Sequence, residues 1–161
     1  MIVLLMGVAG CGKTTIGQLL ATQLGWSFHD ADDFHPPENV AKMSAGIPLT
    51  DRDRAPWLAA LRAHIDACSA RGESAVLTCS ALKDRYRATL AEGAPHVRLV
   101  HLTGSYELIL ERIRARQDHF MKPEMLRSQF EALEAPRDAL AVDIGKSPEE
   151  IVAEIRQRLG V

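Results

Sequence analysis

Residues 7–14 read Gly7-Val8-Ala9-Gly10-Cys11-Gly12-Lys13-Thr14, which matches the pattern GxxxxGK(S/T) at every specified position. The stretch directly follows the apolar run at residues 2–6 and directly precedes a helical pattern. Such glycines let the backbone curl so that N–H groups point at phosphate oxygens, while the lysine reaches the terminal phosphates and the hydroxyl can bind magnesium. An ordinary glycine-rich turn needs neither Lys13 nor Thr14. We therefore predict that residues 7–14, the phosphate loop, bind a nucleoside triphosphate.

The bulk composition limits the classes of partner. The chain has 161 residues, which fits one domain with a continuous core. Its net charge of -2 provides no cationic field for a nucleic acid backbone, so we do not expect nucleic acid as a substrate. The three cysteines are odd in number and lack zinc-type spacing, which favours the reducing cytosol. The N-terminal apolar run is too short for a signal or a membrane span, so we expect a cytoplasmic protein that does not contact membranes.

Short apolar runs alternate with longer helical patterns, which predicts the α/β class with a parallel sheet covered by helices on both faces. We predict five strands, at residues 2–6, 26–29, 75–79, 97–102 and 140–144. We predict helices at residues 13–24, 55–71, 83–92, 105–116, 123–133 and 148–159. No repeat or linker interrupts the pattern, so we expect any moving part to be a lid within a single domain of residues 1–161.

An acidic block, Asp30-Ala31-Asp32-Asp33, directly follows the second predicted strand. Ligands gather outside the carboxyl ends of the strands in an open parallel sheet, so we expect this block to face the phosphate loop. The third strand does not end in an aspartate that could make a second magnesium contact, and we therefore assign Asp30 to the metal together with Thr14. We assign Asp32 to accepting a hydrogen bond from an acceptor hydroxyl, with Asp33 as a bystander. The alternative is that all three carboxylates lie on a solvated loop.

Two histidines, His29 and His35, flank the acidic block. Their spacing matches no helical metal pair, and a site for a magnesium nucleotide prefers oxygen ligands. We therefore do not predict a transition-metal site at these residues. We do expect His35 to contact the substrate.

Two basic stretches suggest that the acceptor is an anion. Arg54 belongs to the polar, proline-broken stretch at residues 46–57, where its planar guanidinium can clamp a carboxylate. The alternative is an ion pair between Arg54 and Asp51 or Asp53. The stretch after the third strand adds three candidate substrate-binding residues, Ser80, Lys83 and Arg87. Helix surfaces also carry such residues for solubility, which is the alternative for this stretch.

A third basic stretch leads into a predicted lid at about residues 116–124. Arg112 and Arg116 share one face of a helix whose pattern collapses at residues 117–123. Arginines that close over a transferring phosphate neutralise its developing charge, and closure excludes competing water. We therefore assign catalytic roles to Arg112 and Arg116, with ordinary helix-surface arginines as the alternative.

Four ordered blocks cover nearly the whole chain. They are Asp30-Ala31-Asp32-Asp33-Phe34-His35-Pro36, Pro48-Leu49-Thr50-Asp51-Arg52-Asp53-Arg54-Ala55-Pro56-Trp57-Leu58, Cys79-Ser80-Ala81-Leu82-Lys83 with Tyr86-Arg87, and His119-Phe120-Met121 with Ser128-Gln129-Phe130, Leu133-Glu134 and Pro136. Together with the phosphate loop, these blocks resemble the gluconokinases, a family of the shikimate-kinase-like P-loop group. The family commonly has serine at positions 9, 11 and 14 and glycine at position 31, and these departures remove no needed group.

The resemblance implies a fold like those of nucleoside-monophosphate kinases and shikimate kinase, with a mobile lid. It implies phosphoryl transfer from ATP to the 6-hydroxyl of D-gluconate, with Mg²⁺ as the metal, in a homodimer. With ATP as the nucleotide, the predicted ATP-binding residues are Gly7, Val8, Ala9, Gly10, Cys11, Gly12, Lys13, Thr14 and Thr15. The resemblance adds His119 and Gln129 to the substrate-binding residues. Lys13 joins Asp32 and the two lid arginines as a catalytic residue.

Two other interpretations stay open from the sequence. The nearer one is a shikimate-type or other small-molecule P-loop kinase. The more distant one is a nucleotide-dependent switch or binding module. The missing aspartate after the third strand, the absence of a guanine-recognition NKxD pattern and the basic lid all argue against the switch.

Cys11 lies in the phosphate loop, at a helix N-terminus and near Lys13. Both surroundings stabilise a thiolate. We therefore predict that oxidants or alkylating reagents inactivate the protein and that bound ATP protects it. Cys68 and Cys79 are expected to be inert packing residues.

Overall fold

The computed structural model describes residues 1–115 and 123–161. Five strands form one parallel sheet with the order β2-β3-β1-β4-β5. The strands are β1 (Ile2–Met6), β2 (Ser27–Asp30), β3 (Ala75–Thr78), β4 (Val97–Thr103) and β5 (Leu140–Asp143). The predicted α/β class and five-stranded parallel sheet are confirmed.

Helices connect the strands and cover the sheet. Within the described ranges, they are α1 (Lys13–Leu24), α2 (Pro37–Ser44), α3 (Asp51–Ala70), α4 (Asp84–Ala91), α5 (Tyr106–Ala115), α6 (Pro123–Ala132) and α7 (Pro148–Leu159). A 3-10 helix at Ala31–Phe34 contains most of the acidic block. None of the helices in these ranges is both long enough and apolar enough to cross a bilayer.

Two helices differ from the prediction. The sequence analysis missed α2, a helix of eight residues that follows Pro36 and buries only Asn39. α3 begins at Asp51 rather than at residue 55, because a capping box starts it early. In that box, the Thr50 hydroxyl accepts a hydrogen bond from the N–H of Asp53 at 3.2 Å, and the Asp53 carboxylate accepts one from the N–H of Thr50 at 2.9 Å.

The central strand β1 is buried along its whole length. Val3 and Leu5 pack on one face of the sheet with residues of α1, α5 and α7, whereas Ile2 and Leu4 pack on the other face with residues of α3 and α4. A strand covered on both faces has no polar alternation, which explains the unbroken apolar run at residues 2–6. Close packing on both sides therefore fixes the point at which the phosphate loop leaves the sheet.

The carboxyl ends of three neighbouring strands carry the candidate site. The phosphate loop follows β1, the acidic block follows β2, and the segment that leads into α4 follows β3. Because β2, β3 and β1 are adjacent and parallel, the three segments leave the same edge of the sheet.

Candidate active site

The phosphate loop is held in one conformation by close packing against α5. Gly10 has a φ of 81°, in the left-handed region that favours glycine. A Cβ added at Gly10 would lie 2.6 Å from Cγ1 of Ile113, so a larger residue does not fit. Across the loop, Nζ of Lys13 donates hydrogen bonds to the carbonyl oxygens of Gly7 at 3.0 Å and Val8 at 3.1 Å. The ammonium group therefore lies where such loops bind the terminal phosphates.

Cys11 is part of the hydrophobic core beneath the phosphate loop. Its side chain is 1% exposed and packs with apolar residues of β1 and α5. Burial raises the pKa of the Cys11 thiol, and the nearby Lys13 ammonium opposes this shift only in part. The prediction of a stabilised, reactive thiolate was therefore wrong, because desolvation outweighs the charge effect. Cys79 is similarly buried, and burial raises its pKa to about 12, as expected for an inert packing thiol.

Thr14 and Asp30 form an oxygen-rich pair beside the phosphate loop. The Thr14 hydroxyl donates a hydrogen bond to Oδ2 of Asp30 at 3.3 Å. The other carboxylate oxygen of Asp30 accepts a hydrogen bond from the N–H of Asp32 at 3.1 Å, which caps the 3-10 helix. A hydroxyl and a carboxylate are ligand types that Mg²⁺ accepts, so these two residues fit the predicted metal role.

Asp32 projects from the 3-10 helix with its side chain 85% exposed. Partial desolvation raises the pKa of the Asp32 carboxyl, and the neighbouring Asp30 carboxylate raises it further. The nearby His35 and Lys13 act in the opposite direction. The charges of Asp30 and of Lys13 in the phosphate loop therefore both act on the Asp32 carboxyl. A carboxylate in this position can orient a hydroxyl toward a phosphoryl group.

His35 lies behind Asp32 with its side chain 5% exposed. The imidazole stacks on Trp57, with ring centroids 4.3 Å apart and 14° between the planes. The Asn39 side-chain amide contacts Nδ1 of His35 at 3.2 Å and donates to the carbonyl oxygen of Asp53 at 2.9 Å. An amide donor at Nδ1 leaves the ring proton on Nε2, which lies 3.9 Å from Oδ1 of Asp32. Burial lowers the pKa of His35, and the nearby Asp32 carboxylate opposes this shift.

A group of cations surrounds the ring of Tyr86. The charged groups of Arg54, Lys83 and Arg85 lie 5.8, 5.9 and 5.4 Å from the ring centroid, and we call these three residues the cationic cluster. Two of them lie beside the carboxylate of Asp51, which accepts hydrogen bonds from Arg85 and from the Tyr86 hydroxyl and lies 3.9 Å from Nζ of Lys83. Three cations around one ring, with one carboxylate beside them, leave an excess of positive charge, which favours binding of an anion.

Arg54 points into this cluster from the first turn of α3. Its Nη1 donates to the carbonyl oxygen of Leu49 at 2.7 Å and lies 3.5 Å from the Tyr86 hydroxyl. Asp53, one alternative partner from the sequence analysis, instead pairs with Lys42 at 2.8 Å. The charge of Arg54 also lowers the pKa of His35, which links the cationic cluster to the surroundings of Asp32.

Arg87 does not belong to this cluster. Its side chain is 6% exposed, and its guanidinium donates to the carbonyl oxygens of Ala81 at 2.7 Å, Leu82 at 3.0 Å and Glu134 at 2.6 Å. It also pairs with the Asp84 carboxylate. These partners use the guanidinium to hold the segment between β3 and α4, so we withdraw the prediction that Arg87 binds substrate.

Arg112 and Gln129 lie on the other side of the phosphate loop. Arg112 donates a hydrogen bond to the carbonyl oxygen of Ile144 at 2.6 Å, and its charge reaches the thiol beneath the loop. The side-chain oxygen of Gln129 accepts a hydrogen bond from the N–H of Ala9 at 2.6 Å. Gln129 thus contacts the nucleotide side of the site rather than the cationic cluster.

Three other predicted positions have simple outcomes. Ser80 is half-buried, and its carbonyl oxygen accepts a hydrogen bond from the N–H of Gly7 at 3.4 Å, which ties the end of β3 to the phosphate loop. Arg116 and His119 lie outside the described residues, as does the predicted lid up to residue 122.

Comparisons with known proteins identify relatives over nearly the full chain. The family model for shikimate kinase matches residues 9–159. The thermosensitive gluconokinase of Escherichia coli (strain K12) is 44% identical over 96% of this chain and 84% of its own length. The gluconokinase of Gluconobacter oxydans (strain 621H) is 44% identical over 93% of this chain and 86% of its own length. The chain belongs to the gluconokinase family.

A solved structure supports the same assignment. The crystal structure of a gluconokinase from Sinorhizobium meliloti 1021 is similar, with a TM-score of 0.82 and 41% identity over 98% of this chain and 94% of the other. The family resemblance from the sequence is therefore confirmed. Members of the gluconokinase and shikimate kinase families are ATP-dependent kinases, and the predicted enzyme class is confirmed as well.

Three residues that shape this gluconokinase-family site are not among the site residues predicted from the sequence. Asn39 orients His35 from a helix that was not predicted, and no pattern around it signals that role. Arg85 belongs to the cationic cluster, and Asp51 is the carboxylate that binds it. The sequence did contain a signal for these two, because both lie within or beside the blocks that carry the resemblance.

Proposed function

We propose that this gluconokinase-family protein transfers the γ-phosphoryl group of ATP to the 6-hydroxyl of D-gluconate, giving 6-phospho-D-gluconate and ADP. The observation that carries the proposal is the cationic cluster, in which three cations surround the Tyr86 ring and one of them, Arg54, acts on the pKa of His35 beside Asp32. D-Gluconate presents a carboxylate at one end and a primary hydroxyl at the other. One molecule can therefore meet the cationic cluster and Asp32 together.

The nucleotide half of the site consists of the phosphate loop and the residues beside it. Backbone N–H groups of the loop and the Lys13 ammonium bind the phosphates. Thr14 and Asp30 hold Mg²⁺ through the oxygen pair that the structure brings together. When bound, Mg²⁺ neutralises charge on the terminal phosphates. Thr15 extends the predicted ATP-binding set at the start of α1.

The acceptor half orients the hydroxyl. Asp32 accepts a hydrogen bond from the 6-hydroxyl and aims its oxygen at the γ-phosphorus. As the new oxygen–phosphorus bond forms, the hydroxyl proton passes to the Asp32 carboxylate, and the bond to the β-phosphate oxygen breaks to release ADP. His35 supports Asp32 from behind through the contacts described above. Arg54 and Lys83 bind the carboxylate of the sugar acid.

The remaining assignments also belong to this proposal. Arg112 and Arg116 stabilise the transferring phosphoryl group, the lid at residues 116–124 closes over it, and His119 contacts the acceptor. The Gln129 side chain supports the phosphate loop through Ala9. We further propose that residues 1–161 form a single domain, that the protein is a homodimer and that it acts in the cytoplasm.

Acceptor-dependent ADP formation tests the proposed reaction. Initial rates are measured with the purified protein, Mg-ATP and either D-gluconate, D-glucose or shikimate. D-Glucose is the matched control, because it has the same six-carbon length and a 6-hydroxyl but no carboxylate. We expect a large rate increase with D-gluconate alone and a phosphate ester at C6 by NMR. A higher rate with shikimate would assign the shikimate-type alternative, and no increase with any acceptor would contradict a small-molecule kinase.

A further inference from the structure

Away from the candidate active site, the structure brings together His29, His64 and Cys68. His29 comes from β2, whereas His64 and Cys68 come from α3. Each residue offers one ligand atom, and all these atoms lie within 4.8 Å of one another. His64 and Cys68 are four residues apart, so they share one face of the helix. β2 and α3 together thus present two histidines and one cysteine, a group that spacing along the chain does not reveal.

The distances match what a tetrahedral ion requires. Sγ of Cys68 lies 3.6 Å from Nε2 of His64. Zinc bonds of about 2.3 Å to sulfur and about 2.0 Å to nitrogen, at a tetrahedral angle, place the two ligand atoms about 3.6 Å apart. The imidazoles of His29 and His64 are neighbours, with ring centroids 4.3 Å apart. Small side-chain rotations are therefore enough to bring all three ligands to one ion.

The geometry points to a binding site for a soft divalent transition ion, with zinc as the expected occupant, formed by His29, His64 and Cys68. Two imidazoles and a thiolate suit Zn²⁺, whereas Mg²⁺ prefers oxygen ligands. The site is therefore chemically separate from the Thr14 and Asp30 pair, although His29 is the residue directly before Asp30. Water supplies the fourth ligand, as in other zinc sites with three protein ligands. Binding releases the thiol proton of Cys68 to solvent.

The charged groups around this site leave it close to neutral. Arg71 contacts Sγ of Cys68 at 3.6 Å, and its guanidinium also forms two hydrogen bonds with the Glu73 carboxylate at 2.8 and 2.7 Å. The Arg71 side chain is 52% exposed, so it can move away from the sulfur when an ion binds. His29 and His64 are half-buried and reach solvent, which provides an entry path for the ion.

Cobalt spectroscopy tests this site in the full chain. The protein is treated with a chelator, dialysed and titrated with Co²⁺, which reports both coordination geometry and thiolate ligation. We expect one equivalent of Co²⁺ to give a tetrahedral spectrum with a thiolate-to-cobalt charge-transfer band, and Zn²⁺ to displace it. Cys68→Ala should abolish this band, and His64→Gln should weaken binding at least tenfold, whereas the matched thiol control Cys79→Ala should keep the band.

A second measurement covers the case in which Cys68→Ala does not fold. Zn²⁺ at about one hundred times its Kd should raise the Tm of the wild-type protein by about 5 °C or more, because the ion links β2 to α3. His64→Gln, which changes a half-buried side chain, should lose this shift in Tm. An octahedral cobalt spectrum, a charge-transfer band that survives Cys68→Ala, or the same Zn²⁺ shift in His64→Gln would overturn the assignment.

Discussion

The phosphate loop and the cationic cluster are built in opposite ways. Core packing holds the loop in place, with Cys11 1% exposed beneath it and no room for a Cβ at Gly10. The cluster instead consists of surface side chains, since Lys83 and Arg85 are 34% and 55% exposed. This difference shows that the nucleotide half of the site is preorganised by the fold, whereas the acceptor half depends on individual polar side chains. We therefore expect single substitutions to affect acceptor use selectively.

Asp32 is the residue that joins the two halves. It lies near Lys13 on one side and near His35, and through it Arg54, on the other. Its substitution should therefore damage catalysis itself rather than the binding of either substrate. Substitutions on either side of Asp32 test this division between catalysis and binding.

Asp32→Asn should cause the largest loss. The amide keeps the shape of the side chain but cannot accept the hydroxyl proton, so we expect kcat to fall by about 10²-fold to 10⁴-fold. Steady-state kinetics with D-gluconate measure this effect, and ATP affinity should stay close to that of the wild type.

Asp33→Asn is the matched control for that experiment. Asp33 lies in the same 3-10 helix and the same acidic block, but we assign it no contact with the acceptor. We expect its kcat to stay near the wild-type value. Equal losses in the two variants would show that the block acts through its total charge and would break the assignment of Asp32.

Arg54→Ala should mainly weaken binding of D-gluconate. Loss of a charged hydrogen-bond donor to a carboxylate should raise KM about tenfold to a hundredfold, with a smaller change in kcat. Arg85→Ala is the comparison, because this residue is more exposed and already bonded to Asp51. Its KM should change less than that of Arg54→Ala. A larger rise in KM for Arg85→Ala than for Arg54→Ala would show that Arg85, not Arg54, is the main contact of the D-gluconate carboxylate.

The pH dependence of kcat/KM should report the environment of Asp32. The pKa of its carboxyl is raised above the ordinary value of 3.8, mainly by partial desolvation. Only the ionised form can take up the hydroxyl proton, so activity should fall as the pH drops through this raised pKa. The measurement is an acid-limb profile of kcat/KM, and a limb centred below 3.8 would contradict the raised pKa.

Thr50→Ala should produce a small effect that separates stability from acceptor binding. Loss of this N-cap should lower Tm by about 2–4 °C, from a loss of about 1 kcal/mol in the free energy of unfolding. Because Thr50 starts the helix that carries Arg54, KM for D-gluconate should rise about twofold. Ser147→Ala removes the equivalent cap of α7. Ser147→Ala should lower Tm similarly without changing KM for D-gluconate. Equal KM values in the two variants would contradict the link between the Thr50 cap and acceptor binding by Arg54.

The sequence predicts the nucleotide half well because local patterns encode it. The apolar run at residues 2–6 and the phosphate loop follow directly from burial on both faces of a parallel strand and from glycine chemistry. The acceptor half was less predictable, because Asn39 acts from a short helix that buries no apolar side chain. Arg87 looked like a substrate ligand, and only the folded chain shows that backbone carbonyls occupy its guanidinium.

Cys11 and Cys68 also show that tertiary packing cannot be predicted from local sequence patterns. The charge pattern around Cys11 predicted a reactive thiolate, but the depth of its burial is a tertiary property that no local pattern reveals. The approach of His29 to His64 and Cys68 likewise depends on how β2 packs against α3. Spacing along the chain relates His64 to Cys68 on one helix, but it cannot add His29 from another element.

A crystal structure of the protein with D-gluconate, Mg²⁺ and a non-hydrolysable ATP analogue would show whether Asp32 orients the 6-hydroxyl of the acceptor. We predict a carboxylate oxygen of Asp32 at about 2.6–3.2 Å from the 6-hydroxyl, which faces the γ-phosphate. We also predict the acceptor carboxylate against Arg54 and Lys83. A complex in which Asp32 points away from the acceptor, or in which the acceptor carboxylate lies outside the cationic cluster, would contradict the proposed mechanism.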